Sequence, residues 1–125
     1  SRLQINAETS EEEGYKATLK LLQKRIPFDA IFGASDLIAI GAIKALEEAG
    51  LNVPKDVAVM GFDDIPMASY THPPLSTVQQ NTGLAGELLV ESLLKKVNGE
   101  PVESMLLPAK LIVRGSCGAR SSNPK

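Results

Sequence analysis

The sequence predicts an α/β fold built on a parallel sheet, and three observations carry that prediction. Residues 57–62, Val-Ala-Val-Met-Gly-Phe, form a continuous apolar run without polar alternation, the pattern of a strand buried on both faces of a parallel sheet. A second run, residues 30–34, precedes it, and between them lies a helix-patterned stretch of the length that parallel pairing needs. Both runs end in polar residues, Ser35-Asp36 after the first and Asp63-Asp64 after the second. In open α/β sheets ligands bind outside the carboxyl ends of the strands, so these side chains are the first candidates for a site.

Composition narrows the function. A chain of 125 residues can build one core, burying roughly two-thirds of the surface that the unfolded chain exposes. Its net charge of -2 argues against a DNA-binding face within this chain, because phosphate neutralisation needs a basic surface. The single cysteine, Cys117, has no disulfide partner and is compatible with a reducing cytoplasm. No apolar stretch is long enough to span a bilayer, so no membrane partner is expected. There is no Gly-x-Gly-x-x-Gly, phosphate loop, Gly-x-Ser-x-Gly or His/Cys cluster, so no catalytic residue, cofactor or metal site is nominated.

The elements follow in order. Leu3 and Ile5 alternate with polar neighbours and predict a short half-buried strand. Ser10 with Glu13 forms a capping box, which starts a helix at Ser10 with Tyr15, Leu19 and Leu22 inside; Pro27 stops it. After the strand at 30–34, Ser35 and Asp36 both suit the N-cap of a helix whose inner stripe is Leu37, Ile40, Ile43 or Ala42, and Leu46. Gly50 is its expected left-handed end, and Pro54 predicts an extended entry to the strand at 57–62. Residues 65–70 leave room for a short helix, and His72 before two prolines reads as a loop residue. Residues 76–80 predict a fourth strand, and Asn81 or Thr82 caps a long leucine-faced helix that Asn98-Gly99 closes as a left-handed pair. Apolar residues 105–107 and 111–113 flank Pro108 as a broken edge strand, and a frayed tail is expected from Gly115 onward.

Parallel strands all exit on one side, which places residues 7–9, 35–36, 63–64 and 79–80 along one rim. Adjacent carboxylates on an extended chain point in opposite directions, so one of Asp63 and Asp64 is expected to face the crevice while the other caps a turn or the short helix. A carboxylate accepts hydrogen bonds at two oxygens and matches vicinal hydroxyls or ring N–H groups, a chemistry of binding rather than bond breaking. The competing reading of these residues is turn and cap duty alone.

Three ordered blocks carry a resemblance. Gly33-Ala-Ser-Asp-Leu-Ile-Ala-Ile-Gly-Ala42, Val53-Pro-Lys-Asp-Val-Ala-Val-Met-Gly-Phe-Asp-Asp64 and Pro73-Pro-Leu-Ser-Thr-Val-Gln-Gln80 resemble the LacI/GalR family of bacterial transcription repressors. The resemblance implies a three-layer α/β sandwich, the C-terminal lobe of a type I periplasmic-binding-protein fold with an incomplete N-terminal lobe. Residues 1–115 then form the C-terminal part of an effector-binding and dimerisation domain, with helix 81–98 belonging to the missing N-terminal lobe and 116–125 a flexible tail. It further implies a sugar or nucleoside-like effector, with Asp63 at the family's ligand-contacting aspartate, Ser35 and Gln80 at cleft positions, and Thr9 where many members carry a stacking aromatic. Asp36 and Asp64 are expected to be structural caps, like Ser10. A cytoplasmic homodimer is implied, with Ile38, Met67 and Tyr70 as contacts, and operator DNA is reached only through a domain outside this chain. The apolar face of helix 81–98 is expected to pack on a second chain or fold back on its own lobe. A transport component of the same fold is the alternative function, and a doubly wound enzyme ranks third.

Overall fold

In the computed structural model, which describes residues 4–102 and 108–119, the helices start where the sequence offers an oxygen to an orphan backbone amide. Helix α1 (Glu11–Gln23) begins with Ser10 Oγ accepting from the Glu13 amide at 3.1 Å. Only that half of the capping box forms, because the Ser10 amide donates to the Glu8 carbonyl at 2.8 Å. Helix α2 (Asp36–Glu48) is capped by Ser35, and helix α3 (Thr82–Val97) by Asn81, whose Oδ1 accepts from the Leu84 amide at 3.0 Å. Gly50 takes the left-handed conformation at φ 82°. At the end of α3 only Gly99 does so, with Asn98 remaining right-handed, so the expected left-handed pair is a single residue.

Strands β1 (Ala30–Phe32) and β2 (Ala58–Met60) pair in parallel, Ala30 opposite Ala58, with α2 as the crossover. Both are shorter than their apolar runs. The approach to β2 is a turn rather than the extended entry expected at Pro54: Val53–Pro54 is cis, and the Asn52 amide donates to Asp56 Oδ2 at 2.7 Å. Beyond β2 the expected fourth parallel strand divides in two. Ser76 makes one parallel bridge to Met60, and the chain then leaves as β3 (Thr77–Gln80), which pairs antiparallel with β4 (Ala109–Ile112). This two-stranded ribbon carries the chain to α3 and back. The apolar residues 105–107 lie outside the described residues.

The strand expected at Leu3 and Ile5 is not part of a ladder; Leu3 lies outside the described residues, and 4–6 carry no strand pairing. Residues 4–7 line a groove of about 750 Å³ together with β1 and with Ala17, Leu21 and Ile38.

The core is α2 laid on the sheet: Ala39, Ile40, Ile43 and Leu46 cluster with Val57, Val59, Ala68 and Leu75. The opposite side of α2 meets α1 at two glycines. A Cβ on Gly14 would sit in the backbone of Ile38, and one on Gly41 in the backbone of Glu11. The helices therefore touch backbone to backbone, and Gly14 and Thr18 are the buried positions of α1, while Tyr15, Leu19 and Leu22 are only half-buried. At the rim of this crossing the Tyr15 hydroxyl donates to the Glu48 carboxylate, which raises the phenol pKa, and Lys44 Nζ lies 5.6 Å from the ring centroid.

Helix α3 buries none of its residues, and Leu89, Leu93 and Val97 all stay exposed, Val97 at 82%. It therefore does not fold back on its own lobe. The tail expected over 116–125 does not begin at its first residue, and 120–125 lie outside the described residues. Ser116, in a 3-10 turn at Gly115–Cys117, is fully buried; its Oγ donates to the Val59 carbonyl at 2.6 Å and accepts from the Ser76 amide at 2.8 Å. A small side chain that satisfies two core backbone groups is held in place by them.

Candidate functional site

The site grows from the exit of β2, where the chain makes two consecutive left-handed residues, Asp63 at φ 116° and Asp64 at φ 58°. Neither is glycine. Such a conformation costs about 1–3 kcal/mol per residue and persists where the surroundings over-determine it.

The surroundings here are a set of hydrogen bonds from distant parts of the chain. The Asp63 amide donates to the Val78 carbonyl at 2.9 Å, the Asp64 amide to Thr77 Oγ1 at 3.3 Å, and the Ile65 amide to Asp36 Oδ2 at 2.7 Å. Thr77 Oγ1 in turn donates to Asp36 Oδ1 at 2.6 Å. Asp36 is fully buried, and Gly61 leaves it room, since a Cβ there would collide with its carboxylate.

Two expected caps are thereby corrected. Asp36 is the first residue inside α2, not its cap; Ser35 takes that duty, accepting from the Ile38 amide at 3.3 Å. Asp36 instead reaches across the sheet edge to hold the turn leading into the 3-10 helix at Pro66–Ser69. Asp64 is not a cap either. Its Oδ1 pairs with Arg114 at 2.9 Å and its Oδ2 accepts from Gln79 Nε2 at 2.9 Å, with the Asp64 side chain only 13% exposed.

The expected division of labour between the two aspartates nonetheless appears. Asp64 turns inward to this network, while Asp63 is exposed, and among the described residues no hydrogen bond or ion pair engages its carboxylate. Ser35 lies beside them, since the adjacent Asp36 amide donates to the Phe62 carbonyl at 3.0 Å, but it is buried and its hydroxyl serves the helix. Gln80 and Thr9 are exposed. Gln80 stands on the antiparallel ribbon rather than at a parallel strand's exit, and no hydrogen bond among the described residues joins either one to Asp63.

Chemically the turn offers acceptors for a polar ligand. Among the described residues no group of three or more His, Cys, Asp or Glu is placed to hold a metal ion. The large groove beside β1 is a separate feature, with neither Asp63, Ser35 nor Gln80 in its walls. Of the expected dimer contacts, Met67 and Tyr70 are exposed, Tyr70 at 80%, whereas Ile38 is half-buried in the α1–α2 crossing. Sequence reasoning missed Thr77, which opens β3, and Arg114, which meets Asp64 only after the chain has gone out along β3 and returned along β4.

Residues 2–117 match the family model described as a periplasmic binding protein-like domain. The lactose operon repressor of Rhizobium radiobacter is 40% identical over 113 residues, covering 90% of this chain and 100% of that sequence. Among solved structures, the lac repressor dimer bound to operator and the anti-inducer ONPF aligns with a TM-score of 0.82 at 35% identity, over 90% of this chain and 40% of that one. The complex of the transcriptional regulator CelR with cellobiose aligns with a TM-score of 0.78 at 36% identity, over 88% and 34%. The chain spans 33% of the length of a further curated repressor that it matches.

Proposed function

From the premise that this chain belongs to the periplasmic-binding-protein-like family of LacI/GalR transcription regulators, we propose that it forms the C-terminal effector-binding and dimerisation part of a sugar-responsive repressor. The observation that carries the reading is the turn at Asp63 and Asp64. Its strained backbone is held by buried partners, and the carboxylate it presents to solvent is left free of them. Strained backbone clusters at ligand clamps, and ligands of open α/β sheets bind outside strand exits.

Asp63 accepts from vicinal hydroxyls of the sugar, with Gln80 and Thr9 further along the exposed rim. Ser35 is a weaker contributor, because its buried hydroxyl already caps α2. Thr9 supplies no aromatic face, so ring stacking comes from elsewhere in the full-length protein. Met67 and Tyr70 form the exposed part of the dimer surface, and α3 belongs to the opposite lobe, reached by the β3–β4 ribbon. Operator DNA is contacted by a domain outside this chain. Such a regulator works in the cytoplasm; among the described residues no helix is long and apolar enough to cross a membrane.

The test is Asp63→Ala in the full-length regulator, after a melting screen of mono- and disaccharides has picked out the sugar that stabilises it. Loss of charge-assisted hydrogen bonds should weaken that sugar roughly tenfold to a hundredfold, while operator binding in its absence and the melting temperature stay close to the parent's. Unchanged release from operator by the sugar would refute the role of Asp63.

A further inference from the structure

The Asp64 carboxylate has two oxygens, and each is taken by a different strand of the crossover ribbon. Oδ2 accepts from Gln79 on β3, and Oδ1 pairs with Arg114 just beyond β4. Arg114 is fixed in three ways: Nη2 on Asp64 at 2.9 Å, Nη1 donating to the Leu75 carbonyl at 2.9 Å, and its amide donating to Ser76 Oγ at 2.7 Å. The other end of the same turn is tied to the ribbon through Thr77, whose hydroxyl serves the Asp64 amide and the buried Asp36 together. The ribbon is also the only described covalent route from the lobe to α3. Backbone strain and ribbon angle thus share one set of bonds.

We propose that Arg114 and Gln79 are positioning residues that couple the Asp63–Asp64 turn to the crossover ribbon, so that a sugar engaging Asp63 shifts the ribbon and with it α3. The effector-facing role of Asp63 is taken from the proposed function above; the coupling of turn to ribbon stands on the geometry alone. Asp64 is the joint. A ligand that moves the Asp63 backbone must move Asp64, and a 13%-exposed carboxylate cannot move without drawing or releasing Arg114. A sugar changes the ribbon only by as much as its affinities for the two arrangements differ, which makes the pair a tuner of response rather than of binding alone.

The experiment has an arm without ligand and an arm with it, both on the full-length regulator. In the first, amide hydrogen exchange is compared for the parent, Arg114→Ala, Arg114→Lys and Gln79→Ala. Arg114→Ala should speed exchange by roughly tenfold or more in residues 62–65 and in the ribbon together, leaving 39–46 of the core unchanged. Gln79→Ala, at an exposed position, should do so less strongly, and Arg114→Lys should restore part of the protection because it keeps the charge but loses the fork that reaches both Asp64 and Leu75. Acceleration confined to the ribbon, with 62–65 protected as in the parent, overturns the coupling. If Arg114→Ala also loosens 39–46, Gln79→Ala decides by the same criterion.

In the second arm cellobiose and lactose are the probes, read by binding and by operator release. Arg114→Lys should release operator less for a given occupancy than the parent does. Full release at parental occupancy counts against the coupling. If Asp63→Ala binds the sugars as the parent does, the effector role assigned to Asp63 is what fails, and the exchange arm still decides whether turn and ribbon move together.

Discussion

Helices α2 and α3 have similar lengths and similar caps, and each carries an apolar face, yet one is the centre of the fold and the other touches nothing that buries it. Eight residues of α2 are buried, between the sheet on one side and α1 on the other. None of α3 is. Periodicity and capping chemistry specify that a segment is helical and which face is apolar, but both are satisfied within about four residues of the chain. What covers the apolar face is decided elsewhere. For α2 the cover is supplied by Val57, Val59, Leu75 and the glycine crossing with α1; for α3 the proposed opposite lobe must supply it.

The strongest way to break the contrast is on the buried side. Leu46 is fully buried in the core cluster, and Leu46→Ala should cost about 2–5 kcal/mol, read as a lower urea midpoint. Next comes Ser116→Ala, which strips two hydrogen bonds from the interior. It should cost about 1–3 kcal/mol because the Val59 carbonyl and Ser76 amide are left unpaired, and a parental midpoint would return residue 116 to the tail.

A smaller effect lies at the rim of the α1–α2 crossing. The Tyr15 phenol donates to Glu48 and its pKa is raised above the ordinary 10.0. Its contribution is therefore complete below pH 10 and lost as pH rises through the folded-state value. Tyr15→Phe should lower the urea midpoint slightly at pH 8 and converge with the parent in alkaline solution. The smallest change is expected on α3, where Leu93→Gln in this chain should leave the unfolding free energy from urea titration within about 0.5 kcal/mol of the parent's. The same substitution in the full-length protein should cost clearly more, and equal effects in both settings would deny α3 a partner in the opposite lobe.

Much of the fold was legible in the residues. Ser10 caps α1 as read, Ser35 and Asn81 are each one of the two residues offered as caps of their helices, Gly50 ends α2, and the apolar runs around residues 31 and 59 pair in parallel across α2. The absence of strand pairing at residues 4–6 was not, because a ladder needs a neighbouring strand and alternation in the sequence does not supply one. The turn from parallel sheet to antiparallel ribbon after Ser76 was equally hidden, since alternation along 76–80 reports pleat and exposure but not the direction of the partner. At the site, sequence separated an outward from an inward aspartate but assigned the wrong duty to the inward one.

By itself the sequence determined much of the local structure of this protein: where helices start and stop, the two central parallel strands, and that carboxylates stand at a strand's exit. These follow from hydrogen bonds and side-chain periodicity between residues a few positions apart. Only the tertiary structure decided that Asp36 serves Thr77 and Ile65, that Asp64 serves Arg114 and Gln79, and that Ser116 is core. Those contacts join residues far apart along the chain. Sequence pattern cannot rank them, because the cost of closing such a loop rises only slowly with its length and many partners are about equally accessible until the core selects one.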